Sequence, residues 1–301
     1  MKLEKELRSL ATHYRIDSGK KFRLKDCDPG DTAGLPKEFK TDAKQLLQRS
    51  TELVSELQDK LYAQDRWGLL LIFQAMDAAG KDGTIKHVMS GVNPQGCEVF
   101  SFKAPSAEEL AHGFMWRTSK RTPPRGKIGI FNRSYYEEVL VVRVHPEILE
   151  AQRLPPECVS NDIWKERFED ISAFERYATR NGVAIRKFFL HISKEEQKRR
   201  FLSRLDQPEK NWKFSASDVR ERRCWDDYQQ NYEEMIRNTS SKRAPWIVVP
   251  ADNKWFARLV VSSVIIHALK DMKLAYPEVS DEKRRQLATA RRELEGKVKP
   301  K

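Results

Sequence analysis

Leu69-Leu70-Leu71-Ile72-Phe73, followed after Gln74 by Ala75-Met76-Asp77-Ala78-Ala79-Gly80-Lys81-Asp82-Gly83-Thr84, is the stretch on which the reading of this chain turns. Its first part is a short unbroken apolar run. Such a run suits a strand buried on both faces, the kind a parallel sheet needs. Its second part places Gly80-Lys81 where a helix must begin. A helix start leaves backbone N–H groups free for a ligand, and a lysine beside them neutralises an anion. The common phosphate-binding pattern is Gly-x4-Gly-Lys-Ser/Thr. Here Ala75 stands for the first glycine and Asp82 for the hydroxyl residue. A plain strand-to-helix turn, with glycines for tightness, is the blander reading. The position of Gly80-Lys81 favours a phosphate-binding loop (P-loop). Lys81 is then its cation, and Ala78, Ala79, Gly80, Asp82, Gly83 and Thr84 surround the phosphates.

Further apolar runs follow at 98–102, 127–131, 185–192 and 246–249. Helical patterns separate them, at 84–91, 107–120, 135–144, 161–179, 194–205, 218–238 and 254–272. This alternation with short links predicts an α/β fold around one five-stranded parallel sheet. Residues 14–35 read as an extended arm. Residues 40–62 read as an amphipathic helix, with Leu46, Leu47, Leu53, Leu57 and Leu61 at helical spacing. Residues 281–301 read as a solvated helix fraying into a peripheral charged tail. The expected division is an arm and helix over 1–65, a core over 66–275 and the tail over 276–301.

The 301 residues carry 56 Lys+Arg against 44 Asp+Glu, a formal net charge of +12. Hydrophobic residues make up 39%, enough for a core, which excludes a disordered chain. No apolar run approaches the roughly 20 residues of a membrane span. Met1-Lys2-Leu3-Glu4-Lys5-Glu6 lacks the apolar centre of a signal peptide. Cys27, Cys97, Cys158 and Cys224 form no Cys-x-x-Cys pair, so neither a disulfide scaffold nor a zinc site is expected, and a cytoplasmic setting is the default. The basic excess points to a polyanion: nucleic acid, an anionic membrane surface or phosphate-rich small molecules.

Asp77 is out of place in an anion cradle unless a cation offsets it. A bound Mg2+, shared between Asp77 and phosphate oxygens, would do so; a helix-capping aspartate is the alternative. The 127–131 run ends in Asn132-Arg133, at the strand edge that faces a ligand crevice. Asn132 brings no charge, and Arg133 suits bidentate contact with phosphate. Glu137 either supplies the missing negative charge near the metal or is an ordinary acid at a helix start, and the two readings weigh equally. Beyond the 185–192 run, Lys198, Arg199, Arg200, Arg204, Lys210, Lys213, Arg220, Arg222 and Arg223 crowd into a helix–loop–helix. That density of cations suits a lid, at about 198–223, closing over a transferred phosphoryl group. Arg117, Lys120 and Arg121, with Lys20, Lys21 and Arg23, extend an anionic path longer than one nucleotide needs.

Residues 73–84, 129–142 and 190–251 carry linked motifs. They include Leu190-His191-Ile192-Ser193-Lys194-Glu195-Glu196-Gln197-Lys198-Arg199-Arg200-Phe201, Trp225-Asp226-Asp227-Tyr228 and Ala244-Pro245-Trp246. Together they closely resemble the family-2 polyphosphate kinases, and the resemblance covers residues 14–274. It implies a three-layer P-loop kinase fold related to thymidylate kinase, with a helical lid. It also implies Mg2+-dependent (or Mn2+-dependent) phosphoryl transfer between inorganic polyphosphate and nucleotides. By motif, Asp77 and Lys81 lie in the P-loop, Arg133 follows the third strand, and an arginine of the Arg199-Arg200 pair belongs to the lid. Asn132 departs from the Asp common in the family. With Glu137 it resembles the branch acting on nucleoside mono- and diphosphates, so AMP and ADP are the expected acceptors, ATP the product, and guanine nucleotides candidates. A homo-oligomer, tetrameric by resemblance, is expected, with neither nucleic acid nor membrane as partner. The competing readings are an ATP-dependent nucleoside-monophosphate kinase and a nucleic-acid-binding protein with a vestigial P-loop.

Overall fold

The computed structural model describes residues 9–212 and 214–296. Its frame is a mixed six-stranded sheet of order β1-β6-β5-β2-β4-β3. The strands are β1 (Arg15–Ser18), β2 (Gly68–Gln74), β3 (Cys97–Ser101), β4 (Ile128–Asn132), β5 (Val183–His191) and β6 (Ser241–Pro250). The five expected strands run parallel, and β1 pairs antiparallel with β6. The five-strand expectation is therefore corrected to six. The short, polar β1 has no periodicity to announce it, and only the edge of β6 makes it a strand. The arm that carries it buries Tyr14, Phe22 and Leu24. A second correction concerns β3, which is an edge strand with Val99 53% exposed rather than a strand buried on both faces.

The main helices are α1 (Lys40–Gln64), α2 (Lys81–Val88), α3 (Ile163–Arg180), α4 (Lys194–Leu205), α5 (Trp225–Thr239), α6 (Lys254–Asp271) and α7 (Asp281–Leu294). Successive residues of β5 show how they are layered, because neighbouring side chains on a strand point to opposite faces. Arg186 reaches Asp271 of α6, and Lys187 reaches Glu175 of α3. One layer is thus α6 with α1 and α2 packed on it, and the other is α3 with α5. α6 is buried nearly all round, from Phe256 to Leu269, as a helix between sheet and outer helix must be. The 107–120 helix is instead two short pieces, Ala107–Leu110 and Trp116–Ser119, separated by the Gly113 turn. Residues 135–144 split into a 3-10 turn, Tyr135–Val139, and a short helix, Val141–Val144. α7 is capped by Ser280 and buries none of its side chains. Among the described residues no helix is long and apolar enough to cross a membrane.

Candidate active site

The turn between β2 and α2 holds the strained backbone of the cradle. Gly80 has φ +100°, and Ala78, which carries a Cβ, has φ +61°. A non-glycine residue in that region costs on the order of 1–3 kcal/mol, so the surroundings must enforce it. They do so through the carbonyl groups. Gln197 Nε2 donates to the Asp77 carbonyl at 3.0 Å. Arg200 Nη1 donates to the Ala78 and Ala79 carbonyls at 3.1 and 2.8 Å. Lys81 Nζ donates to the Ala75 carbonyl at 2.8 Å. The Ala79 amide bonds the Met76 carbonyl at 3.3 Å, and the amides that open α2 lack intrahelical partners, as at any helix start.

Arg200 is spent on this task. A guanidinium has five N–H donors. Besides the two loop carbonyls, Arg200 bonds Glu196 Oε1 at 2.7 Å and the Ala251 and Asp252 carbonyls at 2.6 and 3.0 Å. All five donors are used and the side chain is 5% exposed. Arg200 lines the cavity beside the turn with every donor engaged in holding it. Arg199, its neighbour, is exposed, lines the cavity and pairs with Glu196.

Opposite the cradle, β4 delivers Asn132 and Arg133. Arg133 also has positive φ, +64°, while its amide bonds the Phe73 carbonyl at 3.0 Å. Its Nη2 lies 3.4 Å from Asp77 Oδ1. Asn132 Nδ2 donates to Asp82 Oδ1 at 2.7 Å, and Gln74 Nε2 donates to Glu137 Oε1 at 3.1 Å. The charges interlock. Burial, then the Arg133 charge, push the Lys81 ammonium below its ordinary pKa, against the pull of Asp77, Glu137 and Asp82. Glu137 and then Asp77 raise that of Arg133, against burial. The segment bearing Arg133 and Glu137 is anchored from beneath. Tyr135 and Tyr136 both donate to Glu175 Oε1, at 2.9 and 2.7 Å, and Lys187 Nζ bonds Tyr136, Glu175 and the Thr239 carbonyl. Removing one member of such a buried pair costs about 3–5 kcal/mol.

Two cavities meet here. One, about 660 Å³, is lined by residues 76–83 with Asn132, Arg133, Arg199, Arg200, Arg204 and Trp212. The other, about 370 Å³, is more apolar, with Phe102, Phe114, Tyr135 and Val141 beside Glu137 and Arg117. Phe102, Lys103 and Arg133 line both. Three expected residues, Thr84, Lys120 and Arg121, lie elsewhere. Thr84 is buried on α2 and lines neither cavity. Lys120 lies over the Trp116 ring at 3.9 Å and Arg121 over Phe100 at 5.0 Å, outside both cavities. Arg117 bonds the Lys103 carbonyl and pairs with Glu109. Arg204 pairs with Asp218 at 3.7 Å. Lys213 lies outside the described residues. Sequence reasoning missed Gln74 and Gln197. The available signal was the placement of Gln197 and Arg200 three apart on one helical face. Among the described residues no group of three or more His, Cys, Asp and Glu side chains is arranged to hold a metal ion.

The family model for polyphosphate kinase 2 matches residues 37–277. An ADP-polyphosphate phosphotransferase from Rhodopseudomonas palustris is 51% identical over 282 residues, covering 91% of this chain and 98% of that protein. An AMP/ADP-polyphosphate phosphotransferase from Meiothermus ruber is 43% identical, covering 88% of this chain and 95% of that protein. The crystal structure of polyphosphate kinase 2 from Arthrobacter aurescens superposes with a TM-score of 0.84 at 39% identity, covering 93% of this chain and 96% of that one. With this match over most of its length, a range that takes in the strand-turn-helix at 68–88 and the arginine-rich segment at 194–223, the chain belongs to the polyphosphate kinase 2 family.

Proposed function

We propose that this protein transfers phosphoryl groups reversibly between inorganic polyphosphate and nucleotides, converting ADP, and AMP as well, toward ATP on a P-loop kinase scaffold. The observation that carries the reading is the pair of cavities joined at Arg133. The strongly cationic one suits a phosphate chain end, and the apolar one suits a nucleobase and its sugar. The attacking group is a nucleotide phosphate oxygen, already ionised near neutrality. It forms a bond to the terminal phosphorus as the bridging P–O bond breaks and the shortened chain departs. No general base is needed. The obstacle is repulsion between two anions, and Lys81, Arg133 and the cradle amides offset it. The residues fit a hard divalent cation: Asp77, with Glu137 close to the same charges, offers oxygen ligands beside the cradle. Such an ion, Mg2+ by this reading, would be held by Asp77 with Glu137 nearby and would supply charge neutralisation. The segment from α4 to α5, with Arg199 and Arg204 on the cavity, serves as lid. The names of the relatives favour polyphosphate over ATP as donor.

A donor–acceptor matrix tests the proposal. Polyphosphate with ADP or AMP and Mg2+ yields ATP, whereas ATP with a nucleoside monophosphate is the poorer pair. Absence of product from polyphosphate with either acceptor refutes it, and efficient turnover from ATP alone restores the nucleoside-monophosphate kinase reading.

A further inference from the structure

The family match ends at residue 277, before α7 (Asp281–Leu294) begins. This helix buries no side chain, yet an isolated helix of its length is marginal in water. Its sequence is not that of an inert spacer. It carries Lys283, Arg284, Arg285, Arg291 and Arg292 against Asp281, Glu282 and Glu293. At about 100° per residue, a step of seven falls about 20° short of two full turns. Arg284 therefore stands in line with Arg291, and Arg285 with Arg292. The result is two parallel rows about 100° apart around the axis, the members of each about 10.5 Å apart along it, with Asp281 between the rows at the helix start. Leu287 and Leu294, 53% and 90% exposed, project from a neighbouring flank. The ion pairs on the arginine flank are weak holds. Arg284 meets Asp281 at 3.8 Å, and Arg291 meets Glu295 at 2.9 Å, with the two arginines 69% and 81% exposed. Pairs so exposed contribute at most about 1 kcal/mol and yield readily to a multiply charged ligand.

We propose that α7 is a docking rail for the distal part of a long phosphate chain, outside the cradle where the chain end reacts. The occupant is named by charge: a flexible linear polyanion can meet four guanidinium groups in two rows, releasing counterions as it does so. The inference rests on the function proposed above. It makes α7 a device for holding long donors, with no part in the chemical step.

The test compares the full-length protein with a variant carrying Arg284→Gln, Arg285→Gln, Arg291→Gln and Arg292→Gln. A control removes the same charge at Lys165, Arg176, Arg180 and Lys242, all exposed. Three quantities are read: binding of long-chain polyphosphate without turnover at several salt concentrations, KM for long-chain and for tripolyphosphate donors, and mass by light scattering. The rail variant is expected to bind long chains about tenfold more weakly at low salt, with a shallower salt dependence, and the control not. Its KM for tripolyphosphate and its kcat stay unchanged. Equal long-chain affinity in variant and parent overturns the proposal, and a change of mass alone shows that α7 meets a second copy instead. If the parent turns over neither donor, the proposed function fails, while the binding arm still decides the fate of the rail.

Discussion

Lys81 sits among Asp77, Glu137, Asp82 and Arg133, and its ammonium is balanced between burial and those charges. Three carboxylates and a guanidinium thus bear on one ammonium. Replacing Lys81 by Ala removes a cation from the developing charge of transfer. The expected loss is on the order of a hundred- to a thousandfold in kcat/KM. Asp77→Ala should cost a similar amount, because it frees Arg133 from its partner as well as removing a carboxylate from the proposed cation site. Both variants should remain folded, with Lys81→Ala destabilised by only about 1 kcal/mol through loss of its bond to the Ala75 carbonyl. Steady-state rates and equilibrium unfolding check this together. Retained turnover in either variant would show that the cradle is not where the phosphate reacts.

α4 links two neighbouring elements of the site. Gln197 holds the Asp77 carbonyl while its Oε1 accepts from Arg222 Nη1 at 2.7 Å, so the turn that leads into α5 is tied to the 76–80 loop through one amide. Gln197→Glu keeps an acceptor for Arg222 but has no donor for Asp77, whereas Gln197→Ala loses both. If the carbonyl is what matters, both should raise KM for polyphosphate about tenfold with little change in KM for the nucleotide. An effect confined to the Ala variant would point to the bond with Arg222 rather than to the Asp77 carbonyl. Arg200→Lys should destabilise the fold by about 1–3 kcal/mol, because buried carbonyls lose their partners. Much of this element was legible beforehand. The Ser193 cap and the periodicity of 194–205 locate α4 correctly, and the Gly80-Lys81 pair locates the start of α2. What α4 does was not legible. Whether an arginine faces a substrate or five carbonyl and carboxylate oxygens depends on segments far away in sequence, Asp77–Ala79 and Ala251–Asp252. The same holds for β1, whose four residues hold no pattern of their own and acquire strand geometry only from a partner more than 200 residues later. Lys120 and Arg121 show the converse: a basic cluster signals charge, but aromatic rings on an outer edge decide where it points.

At the scale of the whole molecule, stability should depend on acidity through His191, which is 7% exposed at the end of β5. Burial pushes its pKa down to about 4, against a hydrogen bond to the Cys27 backbone and the charges of Asp252 and Asp28. Its Nδ1 has no hydrogen-bond partner among the described residues. The unfolded imidazole titrates near 6.5. The unfolded chain therefore binds the extra proton first, so stability is full above about pH 6.5 and declines as pH falls toward 4. The loss should reach about 3 kcal/mol, an upper value. Urea unfolding at graded pH measures it, and a His191→Gln variant should flatten the slope in that window. An unchanged slope would assign the acid sensitivity to other groups. The sheet has a further consequence for the molecule in a crowded solution. The margins of the sheet are β1, four residues long, and β3, five residues long, where Glu98 is held by Lys127 at 2.8 Å. Brevity and a fixed charge discourage edge-to-edge growth between molecules. Loss of the amino-terminal arm would bare a longer and more apolar margin along Ala244–Val249, and with it a template for aggregation that the intact chain keeps covered.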